Sequence, residues 1–318
     1  MNYSFHSVSS AQINLHNETY RITTRTDTTD LVRSIRSTGM INPPILIDNS
    51  GGFIVVSGFR RITSCQKIGR PEFEAKILPS DTETLTCAKL AIADNASQRP
   101  LNLIEMSRAL NLLSHLLTDR VEFEKTASDL ALSDSFSLIQ KILKLCHLPE
   151  PIQSGVLTGD IALTMALELG EFDAATATAL VTIFRELRLG LNRQREVLTL
   201  LTEIAHRRNC SILDLTEGRD IKGILNSQEF NTARKSHRIQ SYLRRQRYPH
   251  IVEKTEKFKK IINGVDLDTG IQLHPPKNFE GTAYTVTLSF RHLAELDERR
   301  RHLDKLILDP DLKQFLDS

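Results

Sequence analysis

The chain of 318 residues contains no Trp and only four Cys, and it lacks the two common glycine-rich phosphate-binding motifs. Its cysteines, Cys65, Cys87, Cys146 and Cys210, lie far apart and form no CxxC pair, which excludes a disulfide framework and a zinc finger. Without GxxxxGK[ST] or GxGxxG, the sequence does not match the commonest nucleotide-dependent enzymes. A nucleotide would therefore have to be bound in another way.

Long apolar runs are also missing, since no window reaches the roughly 18 uninterrupted apolar residues that a membrane helix needs. The start, MNYSFHSVSS, lacks the basic-then-apolar pattern of a signal peptide. No GxSxG or HExxH motif occurs and the ten His are scattered, so the sequence indicates no catalytic residue. We expect a cytoplasmic protein that contacts no membrane.

Charge is balanced in total but not along the chain. The 41 Lys and Arg exceed the 39 Asp and Glu by only two, whereas residues 228–318 carry 17 basic and 13 acidic residues. Within 234–260, ten basic residues stand against two acidic ones. A basic stripe of this kind favours phosphate binding, so we predict that Arg244, Arg245 and Arg247 contact duplex DNA. A solvated helix face is the alternative.

Hydrophobic patterning predicts an α+β protein that is predominantly helical and has three domains, at 1–97, 98–227 and 228–318. The first is a small α+β domain, with strands predicted at 20–24, 45–47, 53–56 and 73–78 and helices over 30–37, 60–68 and 82–93. The second is almost wholly helical. The third is a small α-β-β-α unit with basic helices over 228–246 and 250–262, strands at 271–274 and 284–290, and a helix over 291–307.

The last predicted strand alternates apolar and polar residues. Tyr284, Val286, Leu288 and Phe290 would share one face, which is too apolar for water in so small a unit. A second copy of the chain can bury such a face, so the pattern predicts a homodimer through 228–318.

A phosphate site is indicated where a strand meets a helix, at Gly58-Phe-Arg-Arg61. The start of a helix offers unpaired N–H groups and a positive dipole end, and Arg60 and Arg61 add forked donors that match phosphate oxygens. Asp94 and Asn95, near the end of a later helix, supply hard oxygen ligands of the type that Mg²⁺ accepts beside phosphate. An exposed arginine pair and a helix C-terminal Asn are the structural alternatives.

A helix-turn-helix is predicted at 124–145, with a tight connection near Ala131 to Asp134. The second helix would read DNA, and we expect its inward face to carry Leu138, Ile142 and Leu145. Its outward polar residues, Ser135, Ser137, Gln140, Lys141 and Lys144, can bond base edges or phosphates. An ordinary helical hairpin fits the pattern equally well, and no Arg is present in the second helix for guanine readout.

The order of these segments resembles the ParB/RepB partition protein family, in a divergent form, over about residues 30–170. The resemblance rests on Leu31 to Ile35, Gly39-Met-Ile-Asn-Pro43, Gly58-Phe-Arg-Arg61, Asp94-Asn95, Leu101-Asn102-Leu-Ile-Glu105, the helix-turn-helix, and the run from His147-Leu-Pro149-Glu150 to Val156-Leu-Thr-Gly159. It implies a sulfiredoxin-like, CTP- and Mg²⁺-binding first domain, a middle domain that reads double-stranded DNA, and a C-terminal dimerisation domain.

Carried over to this chain, the resemblance places the triphosphate on Gly58, Arg60 and Arg61, and the metal and nucleotide on Asp94 and Asn95. It implies a nucleoid-associated, CTP-responsive clamp in chromosome or plasmid partition, with a ParA-like ATPase as partner. Phe59 stands where that family usually has Glu, which leaves open whether CTP is slowly hydrolysed. A ParB-related transcriptional regulator without clamp activity is the first alternative, and a DNA nuclease, for which no site is visible, is the second.

Overall fold

The computed structural model describes residues 3–265 and 267–316, and the chain divides into two compact units, residues 1–194 and 195–318. The architecture is mixed α+β and mostly helical, as the sequence predicts. The three-domain division remains a prediction. None of the helices within the described ranges is long and apolar enough to cross a membrane.

A five-stranded mixed sheet begins the first unit, with the strand order β1-β5-β3-β4-β2. Its strands are β1 (Ser4–Ser9), β2 (Ile13–Asn14), β3 (Ile45–Asn49), β4 (Gly52–Ser57) and β5 (Glu72–Leu78). The predicted hairpin is present, since β3 pairs antiparallel with β4. β5 pairs parallel with β3 on the other side. The helices α1 (Thr29–Thr38), α2 (Phe59–Lys67) and α3 (Thr84–Gln98) are interleaved with these strands.

The strand predicted at 20–24 is wrong. This segment contains no strand, although Tyr20 and Ile22 are buried in the core, as their alternation indicates. Thr23 and Thr24 hydrogen-bond to the Glu105 side chain instead of to a neighbouring strand. The alternation therefore reflects burial of one side of an extended segment. The edge strands β1 and β2, which have few apolar residues, were not predicted.

Helices form the rest of the first unit: α4 (Leu103–Ser114), α5 (Arg120–Asp129), α6 (Phe136–Leu143), α7 (Glu150–Thr158), α8 (Leu163–Leu169) and α9 (Ala174–Glu186). A long helix, α10 (Leu191–Arg208), follows. One buried cluster joins Val56 of the sheet and Ile92 of α3 to Phe123 of α5 and Ile142 of α6. The predicted boundary at 97 thus lies within a continuous hydrophobic core.

The predicted inward face of α6 needs one correction. Ile142 and Leu145 are fully buried, as expected, but Leu138 is 38% exposed and Ile139, at 1%, takes its place in the core. Ile139 and Ile142 lie three residues apart, which places both on the buried side of a helix. The spacing of Leu138 and Ile142 is equally helical, so the pattern alone did not distinguish the two faces.

In the second unit, α10 is followed by the helices α11 (Ile212–Glu217), α12 (Arg219–Asn226), α13 (Thr232–Arg247) and α14 (Pro249–Gly264), the strands β6 (Ile271–His274) and β7 (Thr285–Leu288), and the helices α15 (Leu293–Leu308) and α16 (Pro310–Leu316). β6 and β7 form a two-stranded antiparallel sheet. A small core surrounds Phe258 of α14, with Leu306 and Leu312 from the last two helices.

The apolar face predicted for 284–290 is partly covered within the chain. Tyr284 packs against Phe258, with ring centroids 6.1 Å apart, and Leu288 is half-buried opposite the buried Ile271. Val286 remains 39% exposed, and Phe290, which lies beyond the end of β7, is 49% exposed. The uncovered apolar surface is therefore smaller than the alternation suggests.

Candidate functional site

A cavity of about 240 Å³ opens in the first unit where β4 ends and α2 begins. Four of the five predicted nucleotide residues line it, namely Gly58, Arg60, Arg61 and Asn95. The fifth, Asp94, is ion-paired with Arg61. The structure therefore brings together residues that are up to 37 positions apart in the sequence. The cavity walls also include the segment from Gly39 to Asn42 and the apolar side chains of Ile22 and Val56.

Gly58 permits the chain to turn from β4 into α2. Its φ is +103°, and a Cβ placed there would lie 2.7 Å from Pro44 Cβ and 3.1 Å from Arg61 Nε. Gly58 is the N-cap of α2, and no side chain caps this helix start. Because the first N–H groups of a helix have no partners within the helix, they can bind an anion at the cavity.

Arg61 ties the cavity walls together. Its Nη1 donates to the carbonyl oxygens of Asn42 at 2.9 Å and Pro43 at 3.1 Å, and its Nη2 donates to Asp94 Oδ2 at 2.6 Å. Ser57, which is buried, also donates a short hydrogen bond to Asp94 Oδ2. Through these bonds, Arg61 of α2 connects the segment at Asn42 and Pro43 to α3 beside the cavity.

Arg60 lies near two other guanidinium groups, those of Arg25 and Arg99. Its guanidinium donates to the carbonyl oxygen of Asp27 from Nε at 3.1 Å and from Nη2 at 2.5 Å. Burial, together with the neighbouring charges of Arg25 and Arg99, lowers the pKa of Arg60 despite the opposing effect of Asp27. An anion bound in the cavity would relieve this repulsion, so the cluster of guanidinium groups suits a polyphosphate.

Asp94 and Asn95 lie in the last turns of α3, which continues to Gln98 and so ends later than predicted. Asn95 donates from Nδ2 to the carbonyl oxygen of Ala91 at 2.8 Å, which orients its amide oxygen away from that bond. No group of three His, Cys, Asp or Glu residues able to hold a metal occurs in 3–265 or 267–316. One carboxylate and one amide oxygen fit Mg²⁺ only as a minor part of a shell completed by phosphate oxygens and water.

Sequence reasoning missed several cavity residues, among them Tyr20, Thr23, Ser57, Gln98 and Arg99. Tyr20 is largely buried, and burial with the neighbouring Cys87 raises the pKa of its hydroxyl to about 12. Gln98 and Arg99 lie four residues after Asp94 and Asn95, which is about one helical turn, and that spacing could have identified them. Nothing in the local pattern identifies Tyr20, whose segment lies far away in sequence.

The predicted DNA-reading residues all lie on the surface of the first unit. Ser135, Ser137, Gln140, Lys141 and Lys144 are exposed around α6. The helices α5 and α6 both pack against α4 and contribute to one core, and their connection includes a 2.6 Å hydrogen bond from Ser128 Oγ to Asp134 Oδ1. Two helices joined by a six-residue connection, with the polar side of the second facing solvent, can present side chains to a groove of DNA.

The three predicted DNA-binding arginines of the second unit are all ion-paired within that unit. Arg244 binds Glu196 at 2.5 Å, Arg245 binds Glu256 at 3.1 Å and Arg247 binds Glu203 at 2.6 Å. These pairs reduce the positive field of the stripe, and phosphates would have to displace the carboxylates. Exposed pairs of this type contribute about 0–1 kcal/mol, so displacement is not prohibitive.

The family model for the ParB N-terminal domain matches residues 5–96. A probable chromosome-partitioning protein ParB from Campylobacter jejuni is 25% identical over 233 residues, which span 73% of this chain and 78% of the relative. A second such protein, from Chlamydia pneumoniae, is 26% identical over 151 residues, or 45% of this chain and 50% of the relative. The chain thus spans only half the length of the second relative.

Similarity to solved structures is also found. The C-terminally truncated ParB of Caulobacter crescentus, crystallised with CTP-γ-S, is 22% identical, with a TM-score of 0.27, over 57% of this chain and 98% of that one.

Proposed function

Because this chain is a divergent member of the ParB family, we propose that it is a DNA-binding protein of chromosome or plasmid partition that responds to CTP. The proposal assigns nucleotide binding to the cavity of the first unit and sequence reading to α6. It assigns no catalytic residue. We place the protein in the cytoplasm, on the nucleoid, as a homodimer that works with a ParA-like ATPase.

The observation that carries the nucleotide proposal is the cluster of guanidinium groups at the uncapped start of α2. Arg60, Arg61 and Arg99 all line the same cavity. Arg60 and the free helical N–H groups can bind phosphate oxygens directly, whereas Arg61 and Arg99 are ion-paired with Asp94 and Glu105. Mg²⁺ bound by the phosphates would take Asp94 as a protein ligand only in exchange for its bond to Arg61. The apolar walls beside them can accept a base and ribose.

Isothermal titration calorimetry of the full chain with CTP and Mg²⁺ tests this proposal. Arg60→Ala should weaken CTP binding at least tenfold, because a charge-assisted hydrogen bond contributes about 1.5–3 kcal/mol. Arg70→Ala is the matched control, since Arg70 is exposed in the same domain and does not line the cavity. Equal CTP affinity in the wild type and Arg60→Ala would contradict the nucleotide site.

The DNA proposal rests on the exposed polar face of α6. Gln140→Ala should relax base choice, whereas Lys144→Ala should weaken binding to all sequences alike. Binding of the variants to the preferred duplex, found by genome-wide occupancy, measures both effects. If neither change alters binding, α5 and α6 form an ordinary helical hairpin.

Spreading on DNA distinguishes a partition clamp from the alternative, a ParB-related transcriptional regulator. A clamp accumulates on DNA beyond its site when CTP is added, and a regulator that does not clamp stays at the site. Occupancy of a long duplex with closed ends, measured with and without CTP, separates the two. Absence of CTP-dependent accumulation would favour the regulator while leaving DNA binding intact.

A further inference from the structure

The reading helix α6 contains no Arg, yet an Arg from the neighbouring helix lies over its first residue. Arg120, the first residue of α5, places its guanidinium carbon 3.8 Å from the ring centroid of Phe136, the first residue of α6. The two residues are sixteen positions apart, and the tertiary arrangement of α5 and α6, which both pack against α4, brings them together. A guanidinium so close to an aromatic face is held in place by a cation–π interaction.

A second contact fixes the direction in which Arg120 points. Its Nε donates to Glu124 Oε1 at 2.5 Å, one helical turn along α5. Among the residues that the structure describes, none accepts a hydrogen bond from its two Nη groups. The side chain remains 66% exposed despite both contacts. Arg120 is thus oriented by two partners, while its outer donors are available to a ligand.

We propose that Arg120 reads a guanine in the DNA site, acting as the arginine that α6 itself lacks. The N-terminal residues of a reading helix lie against base edges in the major groove, and Arg120 is held at that end of α6. The bidentate contact of Arg with guanine O6 and N7 is the commonest specific contact between a side chain and a base. Arg120 offers two Nη donors of the required geometry.

A phosphate contact is the competing role for the same side chain. Two observations favour the base. The guanidinium is already paired with Glu124, so its net charge is partly neutralised, which weakens attraction to a phosphate more than directional hydrogen bonding. The Phe136 ring also restricts its orientation, and restricted orientation matters more for a planar base edge than for a phosphate. The inference rests on the proposed DNA binding by α6.

Selection of duplexes from a random-sequence library by the full-length protein tests this inference. In the wild type, we expect a preferred motif containing a guanine whose replacement weakens binding about 5- to 150-fold, the range for one bidentate contact. Arg120→Ala should lose the preference at that position and retain the rest of the motif. Arg120→Lys keeps the charge but replaces the planar fork with a flexible ammonium, so it should weaken the preference without abolishing it.

Two further variants separate specific loss from general damage. Phe136→Leu keeps an apolar side chain but removes the ring, and it should reduce the guanine preference partially. Arg185→Ala is the matched control, because Arg185 is exposed and ion-paired with Asp160 in the same unit but lies on α9. It should select the wild-type motif. Circular dichroism should show that all four variants keep their helical content.

Each remaining outcome would overturn the inference in a recognisable way. Weaker binding of Arg120→Ala to every sequence, with an unchanged motif, would identify Arg120 as a phosphate contact. An unchanged motif with unchanged affinity would show that Arg120 does not touch DNA. If the wild type itself selects no motif, the proposed DNA reading by α6 fails together with this inference, whereas the first two outcomes leave that reading intact.

Discussion

Arg99 donates a hydrogen bond to each carboxylate oxygen of Glu105, from Nη1 to Oε2 at 2.7 Å and from Nη2 to Oε1 at 2.6 Å. Glu105 is fully buried, and it also accepts from the backbone N–H groups of Thr24 at 2.9 Å and Asn102 at 3.2 Å. One buried carboxylate therefore connects three parts of the first unit by hydrogen bonds. They are the segment before α1, the start of α4, and Arg99 of the candidate nucleotide cavity.

Protonation of Glu105 at low pH should weaken these hydrogen bonds and remove the ion pair with Arg99. Burial alone would raise the pKa of Glu105, but the hydrogen bonds from Arg99, Thr24 and Asn102 outweigh it and lower the pKa to about 2, from an ordinary value of 4.5. The folded state therefore favours the ionised form. The stabilisation that ionised Glu105 gives the folded state is complete at pH values above its pKa in the unfolded chain, 4.5. It is lost as the pH falls from there towards about 2, for a total of about 3 kcal/mol in the free energy of unfolding.

Urea unfolding of Glu105→Gln against the wild type measures this contribution. At neutral pH, the variant should be less stable by about 3 kcal/mol, and the difference should shrink progressively below about pH 4. Glu186→Gln is the control, because Glu186 is exposed on α9 and its change should lie within about 0.5 kcal/mol. A difference for Glu105→Gln that does not vary with pH would contradict the assigned ionisation.

Gly58→Ala should damage both the fold and the nucleotide cavity. The added Cβ would lie 2.7 Å from Pro44 Cβ, in a backbone conformation that Ala rarely adopts. We expect a loss of about 1–3 kcal/mol in stability and a clear loss of CTP affinity. Gly69→Ala is the matched control, since Gly69 also has a positive φ, of +71°, but a Cβ there meets nothing within 4 Å. It should lose stability only, while calorimetry shows unchanged CTP binding.

Phe59→Glu should destabilise the first unit. Phe59 is 7% exposed and packs in the core cluster with Ile62 and Leu46. A carboxylate there would be largely buried, with Arg21 as a nearby cation whose guanidinium carbon lies 5.7 Å from the Phe59 ring centroid. We expect a loss of about 2–4 kcal/mol in thermal or urea unfolding, because burying a charge costs more than this pairing returns. Phe59→Leu, which keeps the site apolar, should cost less than half as much. Equal stability of Phe59→Glu and the wild type would show that the site can open to water.

The two faces of α6 should differ sharply in their contributions to stability. Ile139→Ala should cost about 2–5 kcal/mol, because Ile139 is only 1% exposed and its removal leaves a cavity in the core. Leu138→Ala, one residue earlier and 38% exposed, should change stability by less than about 1 kcal/mol. Urea unfolding at neutral pH compares them directly. The reverse ranking would restore the face predicted from the sequence.

Self-association should depend on the part of the apolar face of β7 that remains exposed, at Val286. Val286→Asp places a charge on the apolar face, where Val286 is 39% exposed, and it should shift the full chain from dimer to monomer in sedimentation velocity. Thr285→Asp places the same charge on the opposite face of the strand and should leave the dimer intact. A wild-type monomer at tens of micromolar would refute dimerisation.

Much of the fold follows from local sequence. The helices α1, α2, α13, α14 and α15 and the hairpin of β3 and β4 lie within a few residues of their predicted positions. Their apolar periodicity, together with turn residues such as Gly58 and Pro249, acts over one or two helical turns. Local chemistry also identified Arg60 and Arg61 as cavity residues, because a glycine at a strand end followed by two cations is a compact signal.

Tertiary structure decided the features that depend on distant partners. The segment at 20–24 alternates like a strand, but it has no strand partner and binds Glu105 instead, 81 residues away. Which side of α6 is buried depends on α4, against which α6 packs, since Leu138 and Ile139 both have a helical partner at Ile142. Local sequence is therefore enough to predict most of the elements and the residue types of the candidate sites. Packing determines which helix faces are buried, the ion pair of Arg61 with Asp94 and the contact of Arg120 with Phe136. Burial and pairing depend on contacts between distant segments, which local periodicity does not encode.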